Sequence, residues 1–230
     1  KFKEDMFKTQ ENLFLIPTSE VSLLNTQANK ILSEKKLPIN LTAYSPCFRV
    51  ERGATKGFTR VRQFDKVEIF KFTTQEQSEK EHELMLKHTI ELLKLLKLPF
   101  RVKLLSAQEI GFASAKTYDI EVFAPVSGWL ECSSVSNCRD FQARRAKIRY
   151  IAKVNTKNIK QSKNQVRDQE KKYVHTLNGS ALALPRTIIA LIENYQQKDG
   201  SIKVPSVLWK YTGFKKIERV EIKGKAKKRK

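Results

Sequence analysis

The chain has 230 residues, 40% hydrophobic and 30% charged, with 45 Lys+Arg against 24 Asp+Glu for a net charge of +21. That apolar share builds a buried core and excludes global disorder, and the length fits one large domain or two small ones. No apolar run reaches the roughly 18–20 residues of a membrane-spanning helix, and Lys1-Phe2-Lys3-Glu4-Asp5 lacks the apolar run of a secretory signal. The first residue is not Met, so the chain reads as an excerpt of something longer.

Thr18-Ser19-Glu20 stands in front of an apolar stripe, Val21, Leu24, Ala28, Ile31 and Leu32, which predicts a capped helix ended by Pro38. Two extended segments follow, Ile39 to Glu51 and Arg60 to Thr73, joined by the polar turn Gly53–Gly57. Gln75 to Leu98 reads as a second helix with Leu84, His88, Leu92 and Leu95 inward, stopped by Pro99. Short strands are expected at Phe100–Leu105, Thr117–Phe123, Trp129–Val135 and Ile148–Val154. The polar stretch Asn155–Lys172 reads as a basic insertion, and Tyr173–Leu177 as a further strand. Asn178-Gly179-Ser180 then leads into a helix, Leu184–Gln197, closed by Asp199-Gly200. Antiparallel hairpins with helices set apart predict an α+β fold, an antiparallel β-sheet flanked by helices. One domain is expected over residues 1–214, with a basic tail over 215–230.

The positive charge is concentrated. Arg139–Lys172 carries twelve Lys/Arg against three acids, and Lys215–Lys230 carries nine against two. A polyanion such as RNA is the partner these stretches fit; a solvated loop and tail is the plainer reading. Cys47, Cys132 and Cys138 are too few for a disulfide framework and too scattered for a zinc site. They read as reduced packing thiols, and the compartment they fit is the cytoplasm, or alternatively a mitochondrial or plastid matrix.

Neither G-x-x-x-x-G-K-[ST] nor G-x-G-x-x-G occurs, so a bound nucleotide would have to be held by side chains. Arg49, mid-strand, and Arg186, opening a helix after Pro185, are the candidates. Strand alternation makes Arg49 and Glu51 share a face of the first hairpin strand, and Phe64, Lys66, Glu68, Phe70 and Phe72 share one on the second, giving a face with Arg, Glu, aromatic and Glu. Such a face is a floor for an amino acid and an adenine; a cross-strand ion-pair ladder is the structural alternative. Glu131-Cys132-Ser133-Ser134 sets a carboxylate and a hydroxyl on one strand, a donor pair suited to Mg²⁺.

Five collinear blocks carry a resemblance: Thr18-Ser19-Glu20; Ser45–Glu51; Arg62–Glu68; Glu131–Ser134 with Asn137–Arg145; and His175–Arg186 with Glu193–Gln196. Together, over about residues 13–212, they resemble the class II catalytic domain of the seryl-tRNA synthetase family. The resemblance implies activation of L-serine with ATP and Mg²⁺, then transfer to the 3′ end of tRNA(Ser), by a protein that pairs with a second copy and needs no membrane. It further implies that Thr18, Ser19, Glu20, Glu68 and Ser180 hold serine. Arg49, Val50, Glu51, Phe64, Glu131, Cys132, Ser133, Ser134 and Arg186 would hold ATP, with Arg49 on the α-phosphate, Phe64 on adenine, and Glu131 and Ser134 on Mg²⁺. Arg49, Glu68 and Arg186 would be catalytic. Departures fall at Val50, where the family usually has Ser, at Arg62 (usually His), at Pro185 (usually Gly), and in the short Gly53–Thr59 loop. The family's long N-terminal helical arm and its motif 1 have no counterpart in these residues, which fits either a fragment or a reduced relative. An arm-less enzyme that charges a carrier protein and a non-catalytic RNA-binding paralogue are the competing readings.

Overall fold

Along Lys66-Val67-Glu68-Ile69-Phe70-Lys71-Phe72 neighbouring side chains point to opposite faces of a strand, so this one segment serves two cores. In the computed structural model, which describes residues 3–51, 57–152 and 170–220, this strand lies inside a sheet. In chain order the elements are α1 (Glu20–Asn25), β1 (Ile31–Ser33), β2 (Ile39–Phe48), β3 (Gln63–Thr73) and α2 (Ser78–Leu95). Then come β4 (Phe100–Leu104), β5 (Lys116–Ala124), β6 (Gly128–Asn137), α3 (Phe141–Ala146), β7 (Arg149–Ile151) and β8 (Lys171–Tyr173). They are followed by β9 (His175–Ala183), α4 (Leu184–Tyr195), β10 (Ile202–Lys203), α5 (Trp209–Thr212) and β11 (Lys216–Ile217).

Six strands form one antiparallel sheet in the order β2-β3-β9-β6-β5-β4. On one side, Met85 and Leu93 of α2 and Ala190 of α4 pack with Ile120, Val122, Val135 and Leu177, all fully buried. Lys71 of β3 points this way and its Nζ donates to Glu81 Oε2 of α2 at 2.6 Å. On the other side, Phe70 and Phe72, fully buried with ring centroids 5.0 Å apart, pack with Leu23 of α1, Ala143 of α3, Ile148 and Tyr150. This second core is covered by a small sheet, β1-β7-β8, in which β1 and β7 run parallel. The α+β architecture is therefore as expected, and Arg149–Ile151 falls inside the expected Ile148–Val154 strand.

Three local expectations are corrected. The first helix stops at Asn25, because Asn25 Nδ2 and Thr26 Oγ1 donate to the last-turn carbonyls of Val21 and Leu23 and Asn29 turns left-handed at φ 62°. Ile31 and Leu32 thus belong to β1 and not to a helical stripe. Helix α2 is rotated from its expected phase: His82, Met85, Thr89 and Leu93 are inward, whereas His88, Leu92 and Leu95 are exposed. Polar His82 and Thr89 hid the true face, because their hydrogen bonds to Val135 O (3.0 Å) and Met85 O (3.2 Å) let them be buried. Finally, Asn178-Gly179-Ser180 is mid-strand in β9, between β3 and β6. A Cβ on Gly179 would lie 3.1 Å from Val135 Cγ2 and 3.3 Å from Ser134 O, so the glycine permits the close approach of β6 and lets the strand run on to Ala183 before the helix.

Lys216–Ile217 pairs with Ile202–Lys203, so the first residues of the expected tail lie against the body. Most of the expected insertion and of the tail lies outside the described residues. No described helix is long and apolar enough to cross a membrane.

The phase of α2 is testable by a paired substitution. Leu93→Ala should cost about 2–5 kcal/mol, the range for emptying a core site, and Leu92→Ala less than about 1 kcal/mol. Urea midpoints of the two variants measured side by side check this, and equal losses would contradict the packing.

Candidate active site

Two β-bulges shape the centre of the large sheet. The β3–β9 register slips between Val67 and Glu68, where Glu68 faces Ser180. The β5–β6 register slips between Ile120 and Glu121, leaving Cys132 between the paired residues Glu131 and Ser133. Bulges re-aim side chains, and here the consecutive residues Glu131, Cys132, Ser133 and Ser134 all line one cavity of about 310 Å³. Ser133 Oγ ties the two strands together, donating to Ser180 O at 2.6 Å.

One end of the cavity is acidic. Glu68 is only 2% exposed, beside Lys66 at 6%. Lys66 Nζ forms an ion pair with Glu68 Oε2 and donates to Thr18 Oγ1 at 2.7 Å. Thr18 Oγ1 in turn donates to Glu68 Oε2 (3.1 Å) and accepts the backbone N–H of Glu20 (3.2 Å). Glu20 is fixed from the other side, where Gln142 Nε2 of α3 donates to its Oε1 at 2.6 Å and Thr176 Oγ1 donates to Gln142 Oε1 at 2.7 Å. Burial pushes the Glu68 carboxyl above the ordinary glutamate value, and Lys66 is the main group pulling it back.

The other end is cationic. Arg49 follows β2 and its Nε donates to Pro17 O at 3.2 Å; its guanidinium lies over the Phe64 ring, 5.1 Å from the centroid. Among the described residues no carboxylate lies within ion-pair distance of Arg49, whereas Glu51 pairs with Arg60 at 3.5 Å. Arg186, in the first turn of α4, donates from Nη1 to Glu131 O at 2.7 Å and from Nε to Thr59 O at 3.3 Å. The Glu131 carboxyl is pushed up by desolvation at the cavity wall and by Asp119, and held down by Arg186 and Arg49. Asp119 is likewise pushed up by burial, against a hydrogen bond with Ser134. Burial raises the Cys132 and Cys138 thiols to about 12, so neither supplies a thiolate near neutral pH. All three cysteines are buried and free.

Of the residues expected from the sequence, Glu20, Arg49, Glu51, Phe64, Glu68, Glu131, Cys132, Ser133, Ser134, Ser180 and Arg186 line the cavity. Thr18 stands behind this wall, joined to it through Glu68 and Lys66. Ser19 and Val50 are not brought to the cavity. The Ser19 hydroxyl is buried without a hydrogen-bond partner among the described residues, and the Val50 N–H is engaged by Asp5 O at 2.9 Å. Sequence reasoning missed Asn178, Cys138 and the loop Gly111–Ser114 as lining residues, and Gln142 as the brace of Glu20. Asn178 was in view inside a motif, but its role depends on β9 extending through it; nothing local marks the Gly111–Ser114 loop.

An antiparallel six-stranded sheet whose edge hairpin carries an arginine and a glutamate, facing a helix with another arginine in its first turn, is the architecture of a class II aminoacyl-tRNA synthetase core. The family model for the tRNA synthetase class II core domain (G, H, P, S and T) matches residues 2–195, and the chain belongs to that family. It is 52% identical over 216 residues to the serine–tRNA ligase of Wolbachia sp. subsp. Brugia malayi (strain TRS), covering 92% of this chain and 48% of that protein. With the serine–tRNA ligase of Caldicellulosiruptor bescii it shares 50% over 218 residues, 93% of this chain and 49% of the relative. Among solved structures, seryl-tRNA synthetase from Pyrococcus horikoshii complexed with ATP superposes with a TM-score of 0.85 at 41% identity, over 96% of this chain and 48% of that one. The cytoplasmic serine–tRNA ligase of Naegleria fowleri in complex with AMP gives 0.80 at 31% identity, over 93% and 50%. The chain spans about half the length of the curated relatives it matches.

The buried acid end has a pH signature. Because the native Glu68 carboxyl holds its proton more tightly than the ordinary value of 4.5, the folded state binds more protons there than the unfolded chain. This group's contribution to stability therefore falls as pH rises above about 4.5. Urea midpoints across the carboxylate range, for the parent and Glu68→Gln, should show the parent's relative stability declining with pH; a relative gain would mean that the pull of Lys66 outweighs burial.

Proposed function

We propose that this chain carries the amino-acid-activating site of a serine–tRNA ligase, forming seryl-adenylate from L-serine and ATP and passing the seryl group to the 3′ end of tRNA(Ser). The observation that carries this reading is the polarity of this cavity. Its acidic end, Glu20 and Glu68, suits an ammonium group, and its cationic end, Arg49 and Arg186, suits a polyphosphate. A zwitterion held between them presents its carboxylate to the arginine side. Relatives described as serine–tRNA ligases and solved structures complexed with ATP and with AMP support the assignment.

Attack of the serine carboxylate on the α-phosphorus forms the acyl–phosphate bond and releases pyrophosphate. No protein nucleophile is needed; the protein supplies alignment and charge neutralisation. Arg49, free of a carboxylate partner among the described residues, neutralises the α-phosphate while Phe64 packs on adenine, and Arg186 takes the outer phosphates. The donors Glu131 and Ser134, with Asp119 beside Ser134, suit a hard cation that arrives with ATP. No described cluster of three or more His, Cys, Asp or Glu could hold a metal by itself, so phosphate oxygens and water would complete its shell. Mg²⁺ bound there would offset phosphate charge. A second copy of the chain, and tRNA held partly by the basic stretches, complete the reading. The buried free thiols suit a reducing compartment, the cytoplasm or an organelle matrix.

ATP–pyrophosphate exchange tests the proposal. It should require serine, run far more slowly with alanine or threonine, and fall at least about 100-fold in Arg49→Ala, the scale of lost transition-state charge stabilisation. Equal exchange with all three amino acids, or near-parental exchange by Arg49→Ala, would contradict it.

A further inference from the structure

A lysine that is 6% exposed, in the same cavity wall as two carboxylates that would receive a substrate ammonium, calls for an explanation. Burying a charge is costly unless it is paired, and Lys66 is paired with Glu68, so its presence is chemically stable. Yet the same wall could have been built with an apolar residue and a neutral hydroxyl. What the lysine adds is charge. Glu20 and Glu68 are the acidic groups at this end; Glu68 joins the Lys66–Thr18 network through its carboxylate, Glu20 through its backbone N–H, and the Glu20 carboxylate is held by Gln142. Two carboxylates against one lysine leave room for one further positive charge, which is what a monoamino acid brings. Lys66 and Thr18 both address Glu68 Oε2, and this keeps Oε1 for a ligand. Thr18 Oγ1 accepts from Lys66 and from the Glu20 N–H and donates to Glu68, so its hydrogen and both lone pairs are used. Thr18 thus orients the Glu68 carboxylate and the backbone at Glu20, and has no capacity left to read a substrate itself.

We propose that Lys66 is a specificity-determining residue: a built-in ammonium that neutralises one of the two acids, so that the cavity accepts one ammonium and a neutral hydroxyl and rejects a second cation. The inference rests on the reading of this cavity as a serine site. It names what the site excludes. L-2,3-diaminopropionate is the discriminating probe, because it has the shape of serine with an ammonium in place of the hydroxyl. With Lys66 present, its second charge would meet a like charge in a buried site. With Lys66 neutral, Glu20 and Glu68 would match both of its ammonium groups.

The experiment is ATP–pyrophosphate exchange with serine and with diaminopropionate, reading the ratio of kcat/KM values in the parent, Lys66→Gln, Lys66→Met and Lys66→Arg. Lys66→Gln keeps a donor towards Thr18, and it serves if Lys66→Met does not fold. The parent and Lys66→Arg should prefer serine strongly, and in the neutral variants that preference should fall at least about tenfold or invert. A lysine that merely holds the wall in place would lower both substrates in parallel and leave the ratio unchanged, which would overturn the proposal. Absence of serine-dependent exchange in the parent would overturn the serine-site reading. Parental exchange with an unchanged ratio in the neutral variants overturns the role of Lys66 alone.

Discussion

The buried ion pair between Lys66 and Glu68 is the constraint on which the site depends. Two charges at 6% and 2% exposure persist only if each is satisfied and neither can escape to water. Strand β3 meets that condition because it has neighbours on both edges, β2 and β9, and because Phe70 and Phe72 anchor its far half in a core. Thr18 closes the network from outside the sheet, and its position follows from α1, whose Leu23 packs in that same core. The apolar packing under α1 and α3 thus sets the distance between Glu20 and Glu68.

From this pair a gradient of charge runs across the sheet. The acids Glu20 and Glu68 lie at one end, and the cations Arg49 and Arg186 border the other. The two cations are held by different means. Arg186 is committed to the carbonyls of Glu131 and Thr59, while Arg49 rests on an aromatic ring and a single carbonyl. Arg49 therefore has the larger capacity for an anion, and this is the property an in-line transfer at phosphorus uses. Positioning the carboxylate and the phosphate together converts a bimolecular reaction into one between aligned groups, worth several kcal/mol of barrier.

Most of the site was legible in the sequence because its residues travel in short motifs on strands. Arg49, Phe64 and Glu68 needed only strand alternation and collinear order to be placed on one floor, whereas bringing all four of Glu131–Ser134 to it takes the bulge in β6. What could not be read locally depends on long-range pairing. The phase of α2 was obscured by His82 and Thr89, whose burial is licensed by acceptors that one-dimensional periodicity does not see. The pairing of Ile31–Ser33 with Arg149–Ile151 joins segments more than a hundred residues apart. Gln142, the brace of Glu20, stands 122 positions from it. Ser19 and Val50 show the converse: motif membership put them in the site, and geometry gave them backbone or packing duties.

The site is tested most directly by a crystal structure of the chain with a sulfamoyl analogue of seryl-adenylate, in which the reacting phosphate is replaced by a stable neutral link. The seryl ammonium should lie against Glu20 and Glu68 with Lys66 still paired to Glu68, the adenine on Phe64, and the sulfamoyl group within reach of Arg49. A seryl group away from Glu68, or an adenine ring not stacked on Phe64, would contradict this placement.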